Sequence, residues 1–204
     1  MLELGDTSDG VKQVAPKDDG LAIQVYCDQT TDGGGWTVLQ RRSTPFTDKF
    51  SKNWTEYENG FGILSESFWL GNRFISRLTA TPVQLRIELQ ETQGNQGYAI
   101  YENFSISGPE DNYRLSIGPY AAGNIGNAIH ADSDPAFVEN GMQFTTADRD
   151  NDANSLGNCA RVNGDSGWWL SNCGRANLNK AYIPQWDEWK YLATISHTEM
   201  KIRP

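Results

Sequence analysis

Apolar and polar residues alternate most strictly at Val83, Leu85, Ile87 and Leu89, with Gln84, Arg86, Glu88 and Gln90 between them. That period of two predicts a strand with one face buried and the other wet. The same period runs through residues 98–106 and 113–117, with a polar turn between them, and predicts an antiparallel meander. Residues 22–27 and 36–42 read as a hairpin-like pair of strands, because Asp32 and three glycines separate two apolar runs. A last alternating run over 191–202 is expected to return to the same sheet. Helical spacing is confined to two short stretches. Trp54, Tyr57 and Phe61 fall at i, i+3 and i+7 behind a candidate N-cap, Asn53, and predict a helix over 53–62. Phe74, Ile75 and Leu78 predict a second over 72–78. The pattern is that of an α+β protein whose antiparallel sheet supports a less regular region from about 140 to 190.

With 204 residues the protein is long enough to bury a core without help from metal or disulfides. Its net charge of -9 and pI near 4.7, with no basic run beyond Arg41-Arg42, argue against nucleic acid or a polyanionic surface as partner and for a neutral or cationic one. No apolar run approaches the roughly 18 residues of a membrane-spanning helix, and residues 1–10 lack the charged and apolar segments of a signal peptide. Catalytic constellations are scarce. His130 and His197 are the only histidines, and neither sits in a G-x-S-x-G or H-E-x-x-H motif. The protein is not expected to be an enzyme.

The most informative stretch is 148–179. Asp148, Asp150 and Asp152 stand at every second position, followed by Asn154, in a segment too rich in Asn, Asp, Ser and Gly to be helical. Alternate oxygens on a curled loop suit calcium, which takes six to eight hard ligands. The EF-hand is excluded, because its glycine and bidentate glutamate positions, counted from Asp148, hold Ala153 and Cys159. A different calcium loop and a solvated acidic turn both remain open on the aspartates alone. Cys159 and Cys173 bracket the Trp168-Trp169 pair, and Cys27 makes the cysteine count odd.

A series of motifs now falls in order: VYCD from Val25, GGGWTVLQRR from Gly33, W-x-x-Y-x-x-GFG from Trp54, FWLGN from Phe68, LRIEL, DRDND, NCA, GWW, NLN, W-x-x-W-K and MKIRP. In that order they resemble the fibrinogen C-terminal domain found in fibrinogen chains, ficolins, tachylectins, angiopoietins and tenascins. The resemblance implies one domain over 1–204, with an N-terminal subregion to about residue 40, a central sheet over 41–140 plus 190–204, and a calcium and ligand region over 141–189. It implies a Cys159–Cys173 disulfide, a partner for Cys27 upstream of this sequence, and a cis peptide bond between Asn172 and Cys173. Calcium would be held by Asp150, Asp152 and the carbonyls of Asn154 and Leu156, with Asp148 outside the inner shell.

In the acetyl-binding members the amides at the second cysteine and its successor grip the acetyl oxygen, which here means Cys173 and Gly174. This sequence departs from them: Gly174 replaces a common histidine, Asn163 or its neighbour replaces an aromatic, and the connection from Tyr182 to Trp186 is short. Tyr182, Trp168, Trp169 and Trp186 are the residues that could rebuild the pocket, although tryptophans in a GWW element are more often core. The implied function is a secreted, calcium-binding, lectin-like module that recognises acetylated or related glycans in innate immunity. The alternative is a module that binds a protein receptor or matrix protein. Oligomerisation through upstream regions and a glycoprotein nature are also implied, although the sequons at Asn53 and Asn103 carry no weight, since such tripeptides arise by chance.

Overall fold

A computed structural model describes residues 7–46, 50–130, 135–191 and 194–204. In sequence order the strands are β1 (Gly10–Val14), β2 (Ile23–Asp28), β3 (Trp36–Ser43), β4 (Phe61–Gly62), β5 (Phe68–Trp69), β6 (Val83–Glu91), β7 (Gln96–Ile106), β8 (Leu115–Ser116), β9 (Tyr120–Gly123), β10 (Ala176–Asn177), β11 (Gln185–Trp186) and β12 (Ile195–Arg203). The helices are α1 (Trp54–Asn59), α2 (Asn72–Leu78) and α3 (Cys159–Val162). Ten strands form one antiparallel sheet along the order β1-β2-β3-β12-β6-β7-β8, with β5 joined to β3, β4 to β5 and β9 to β7. β10 and β11 form a separate ribbon. The α+β expectation holds: an antiparallel sheet with few short helices.

Local chemistry explains the details. α1 begins with a capping box, in which the Asn53 side chain accepts from the Glu56 amide at 2.9 Å and Glu56 reaches back to the Asn53 amide at 3.0 Å. The helix ends sooner than its aromatic spacing predicts. Gly60 adopts φ +87°, and a Cβ there would lie 2.3 Å from the Leu70 carbonyl oxygen, so the backbone leaves the helix and Phe61 enters β4 instead. The run 113–117 shortens to β8, and β1 and β9 carry no clear alternation in the sequence. The returning strand is found as β12, while Leu192 and Ala193 of the expected run lie outside the described residues.

Inward-facing Leu85, Ile87, Leu89, Val25, Val38, Met200 and Ile202 are buried. They belong to the same core as an aromatic cluster centred on Trp69, whose ring centroid lies 5.8 Å from Tyr57, 5.9 Å from Phe144, 6.4 Å from Trp168 and 6.0 Å from Trp169. Trp69 sits in the sheet through β5, Tyr57 in α1, and the last three in the irregular region. One cluster therefore fastens all three parts together.

The outward face is not simply wet. Lys201, 1% exposed at its side chain, places its ammonium 2.7 Å from Asp28, 2.6 Å from Glu88 and 3.1 Å from Glu199. Arg41 pairs with Glu199 and stacks 4.0 Å over Tyr26, and Arg86 pairs with Glu88 and stacks 4.1 Å over Tyr98. Burial pushes the Glu199 carboxyl up, but His197, Lys201 and Arg41 outweigh it and hold it at about 2. Burial also acts on Asp28, where Lys201 and Thr31 prevail and hold it well below the carboxylate range. Lys201 is raised, because Glu199 and Glu88 outweigh its own burial.

Removing the shared cation leaves Asp28 without its ammonium partner and Glu88 and Glu199 to their arginines, so Lys201→Met is expected to cost about 3–5 kcal/mol in urea unfolding. Carboxylates with depressed folded values stabilise above their unfolded values and lose that contribution as pH falls. The wild type should therefore lose stability from about pH 4.3 down to about 2. The variant should show a flatter slope over that window.

Candidate functional site

The irregular region opens after Phe144, where the acidic turn is built by its own side chains. Asp148 accepts from the Trp54 amide at 2.9 Å, in the first turn of α1, and from the Thr146 hydroxyl at 2.8 Å. It is a structural latch. Arg149 lies 4.2 Å over the Trp54 ring and strengthens the same contact. Asp152 accepts from the Asn154 amide at 2.8 Å and the Cys159 amide at 2.7 Å, and the Asp152 amide points at Asp150 at 3.4 Å. Burial raises the Asp152 carboxyl, the two amides oppose that, and the charge of Asp150 adds to it. Among the described residues no cluster of three or more His, Cys, Asp or Glu gathers for a metal. The available donors are two carboxylates and loop carbonyls.

Asn154 continues the turn. Its side-chain oxygen accepts from the Leu156 amide at 3.0 Å, while its amide group faces the sulfurs of Cys159 and Cys173 at 3.6 and 3.7 Å. Those two cysteines form a disulfide with Cα atoms 4.9 Å apart. Cys27 lies outside that bridge, buried in β2. Asn158 caps α3 by accepting from the Arg161 amide at 3.0 Å and donates to the Thr146 carbonyl at 3.1 Å. Acidic turn, disulfide and short helix are one connected unit.

The residues expected to form a ligand pocket divide into two groups. Trp168 and Trp186 are core residues, at 1% and 0% exposure, and their indole N–H groups donate to Glu139 at 2.9 Å and to the Ile125 carbonyl at 2.9 Å. Trp169 is likewise buried and donates to the Tyr113 carbonyl at 2.7 Å. An indole with a filled hydrogen bond and no exposed ring is no pocket wall, which corrects the expectation for these tryptophans. Asn163 is 5% exposed, and its side-chain amide nitrogen is buried without a hydrogen-bond partner among the described residues, as is the Ser171 hydroxyl. Tyr182 stands out at 85% exposure with φ +69°.

The Asn172–Cys173 bond is trans, against the expected cis; the backbone turns instead through left-handed Cys173 (φ +63°) and Gly174 (φ +65°). The Cys173 and Gly174 amides donate to no residue among those described, whereas the next two, Arg175 and Ala176, donate inward to Glu139 at 3.2 and 2.9 Å. Glu139 was invisible to sequence reasoning. It is one acid among many, belongs to no motif, and acquires its position only through the fold.

The exposed apolar side chains also concentrate here. Of seven large hydrophobic residues exposed among those described, Leu156, Val162, Tyr182 and Ile183 all come from this region. The Ala181 amide donates to the Asn163 carbonyl at 3.1 Å, which sets the turn after Val162 against the loop carrying Tyr182. Among the described residues no helix is long and apolar enough to cross a membrane.

Comparison with known proteins adds an independent line. The family of C-terminal globular domains of fibrinogen beta and gamma chains matches residues 1–204. Angiopoietin-related protein 7 of Bos taurus is 38% identical over 93% of this chain and 56% of its own length. Fibrinogen C domain-containing protein 1 of Xenopus tropicalis is 39% identical over 98% of this chain and 45% of its own. The chain thus spans about half the length of these curated relatives. Among solved structures, the fibrinogen-like globe domain of human ANGPTL2 superposes with a TM-score of 0.89 at 32% identity, covering 98% of this chain and 94% of that one. Lamprey fibrin D-dimer, complexed with the peptide Gly-His-Arg-Pro-amide, gives 0.89 at 31% identity over 98% and 70%.

The disulfide closes a loop of sequence separation 14. Replacing both partners, Cys159→Ser with Cys173→Ser, is expected to lower stability by about 3 kcal/mol in chemical denaturation, as loop-closure entropy gives for this length. Non-reducing peptide maps should link Cys159 to Cys173 and leave Cys27 out.

Proposed function

This chain belongs to the family of fibrinogen C-terminal globular domains, and from that premise we propose that it is an extracellular, non-catalytic recognition module whose irregular region docks a protein partner. The observation that carries this reading is the exposed apolar group of Leu156, Val162, Tyr182 and Ile183. Large apolar side chains exposed in one region of a polar, acidic domain are a usual mark of a protein interface. The angiopoietin-related relatives support the same class of partner, and the peptide bound to the lamprey relative is consistent with it. Tyr182→Asp and Val162→Asp should each weaken capture of a cell-surface or matrix partner at least tenfold while leaving the melting temperature within a degree or two, because neither side chain packs inside. Undiminished capture by both variants would place the interface elsewhere.

The Cys173 and Gly174 amides, without an acceptor among the described residues, favour a second reading, in which an acetylated or related glycan binds there. The buried tryptophans and side-chain-free Gly174 leave such a pocket with few walls. Two neutral hydrogen bonds of about 0.5–1.5 kcal/mol each and one buried methyl then support a dissociation constant on the order of 1 mM. Titration of N-acetylglucosamine against glucosamine, read at those two amides, separates this reading from the first.

Calcium belongs to either reading. The donor set fits it: Asp152 is pushed up by burial and by Asp150, a conflict that a cation relieves, and the carbonyls of Asn154 and Leu156 lie on the same turn. When bound, the ion would supply charge neutralisation and pin the turn beside the disulfide. Saturating calcium at about 100 times its dissociation constant should stabilise the fold by about 2.7 kcal/mol. The double variant Asp150→Ala, Asp152→Ala should abolish that rise in melting temperature.

A further inference from the structure

We infer that Glu139 is the positioning residue of the turn after the disulfide, holding the Arg175 and Ala176 amides from beneath and so fixing the course of the backbone at Cys173 and Gly174. The inference rests on the second reading above, in which this turn docks an acyl group. Its geometry is specific. Glu139 is 0% exposed, and its carboxylate accepts from the Arg175 and Ala176 amides with one oxygen and from the Trp168 indole at 2.9 Å with the other. Its own backbone is held on both sides, with the Glu139 amide donating to the Ile129 carbonyl at 2.9 Å and the Met142 amide donating to the Glu139 carbonyl at 3.0 Å. The carboxylate is therefore an anchor of fixed position, tied to the core through Trp168.

The same carboxylate dictates the residue at 174. A Cβ built on Gly174 would lie 2.3 Å from the nearer Glu139 oxygen, and φ there is +65°, so glycine is required twice over. With Glu139 in place, no side chain from 174 can reach the docking face, and recognition is left to backbone donors. Among the described residues no cation pairs with Glu139: the Arg175 guanidinium pairs with Glu188 at 3.2 Å and lies over Phe137. Burial raises its carboxyl well above the usual range, the three donors oppose that, and the charge of Asp187 adds to it.

The test compares wild type with Glu139→Gln, which keeps the size but turns one acceptor into a donor facing either the backbone amides or the Trp168 indole. In ligand-free amide spectra the Cys173 and Gly174 signals should move by several linewidths while those of Leu85 and Ile87 hold. If only Arg175, Ala176 and the Trp168 indole move, the positioning role is overturned. Should Glu139→Gln fail to fold, Glu139→Asp withdraws the oxygens by one methylene and is judged by the same signals. Acetamide, a neutral acyl probe, should shift the two amides in wild type and bind several-fold more weakly to the variant at a temperature where both proteins are folded. Equal response in both proteins counts against Glu139. If acetamide moves neither amide in wild type, the docking reading of this turn falls, and the ligand-free spectra alone decide the role of Glu139. Finally, Gly174→Ala should destabilise wild type at least tenfold more, in the unfolding constant, than it destabilises Glu139→Ala; strictly additive effects would remove the steric half of the inference.

Discussion

A segment with almost no regular structure can be buried only if something other than a ladder satisfies its backbone. The region from Phe144 to Trp189 lives under that constraint. Asp148, Asp152, Asn154 and Asn158 bond the backbone of the acidic turn and its neighbours, Glu139 bonds the turn after the disulfide, and Asn177 and Asn179 bond buried groups at the foot of the same region. The abundance of Asn and Asp there is first of all a supply of acceptors and donors. Any metal chemistry is built on residues that the fold already needs.

The sheet meets the opposite problem. Its inward face finds an aromatic cluster to pack against, whereas its outward face has no second apolar layer. Lys201, Asp28, Glu88, Glu199, Arg41 and Arg86 answer with a lattice in which nearly every charge has a partner and two guanidinium groups lie flat on tyrosine rings. Such a surface gains specificity of register more than net stability, since the desolvation of each ion offsets most of its attraction.

How much of this was legible beforehand follows from physics. β6 was readable because a half-buried strand writes its period directly into the sequence, and α2 for the corresponding reason at helical spacing. α1 was readable at its start, through Asn53, but not at its end, because the residue that stops it is a glycine pressed against the Leu70 carbonyl from another part of the fold. The cystine pair followed from the family resemblance. The tryptophans stayed open between pocket wall and core, because whether an indole N–H faces a ligand or a buried oxygen depends on contacts 29 to 61 residues away in sequence. Glu139 could not be found at all, for the same reason.

β12 lies between β3 and β6, which do not pair with each other. During vectorial synthesis β1 to β3 emerge early and β6 with β7 soon after, yet the strand that zips the two groups into one sheet is the last of the twelve to appear. Both groups must wait with open edges, and the loops they close span about half and about three-quarters of the chain. Such topologies fold slowly, because the entropy of closing long loops is lost before the contacts that compensate it exist. A nick or truncation near Ile195 would accordingly divide the sheet down its middle, where the same damage at β1 would only trim its rim.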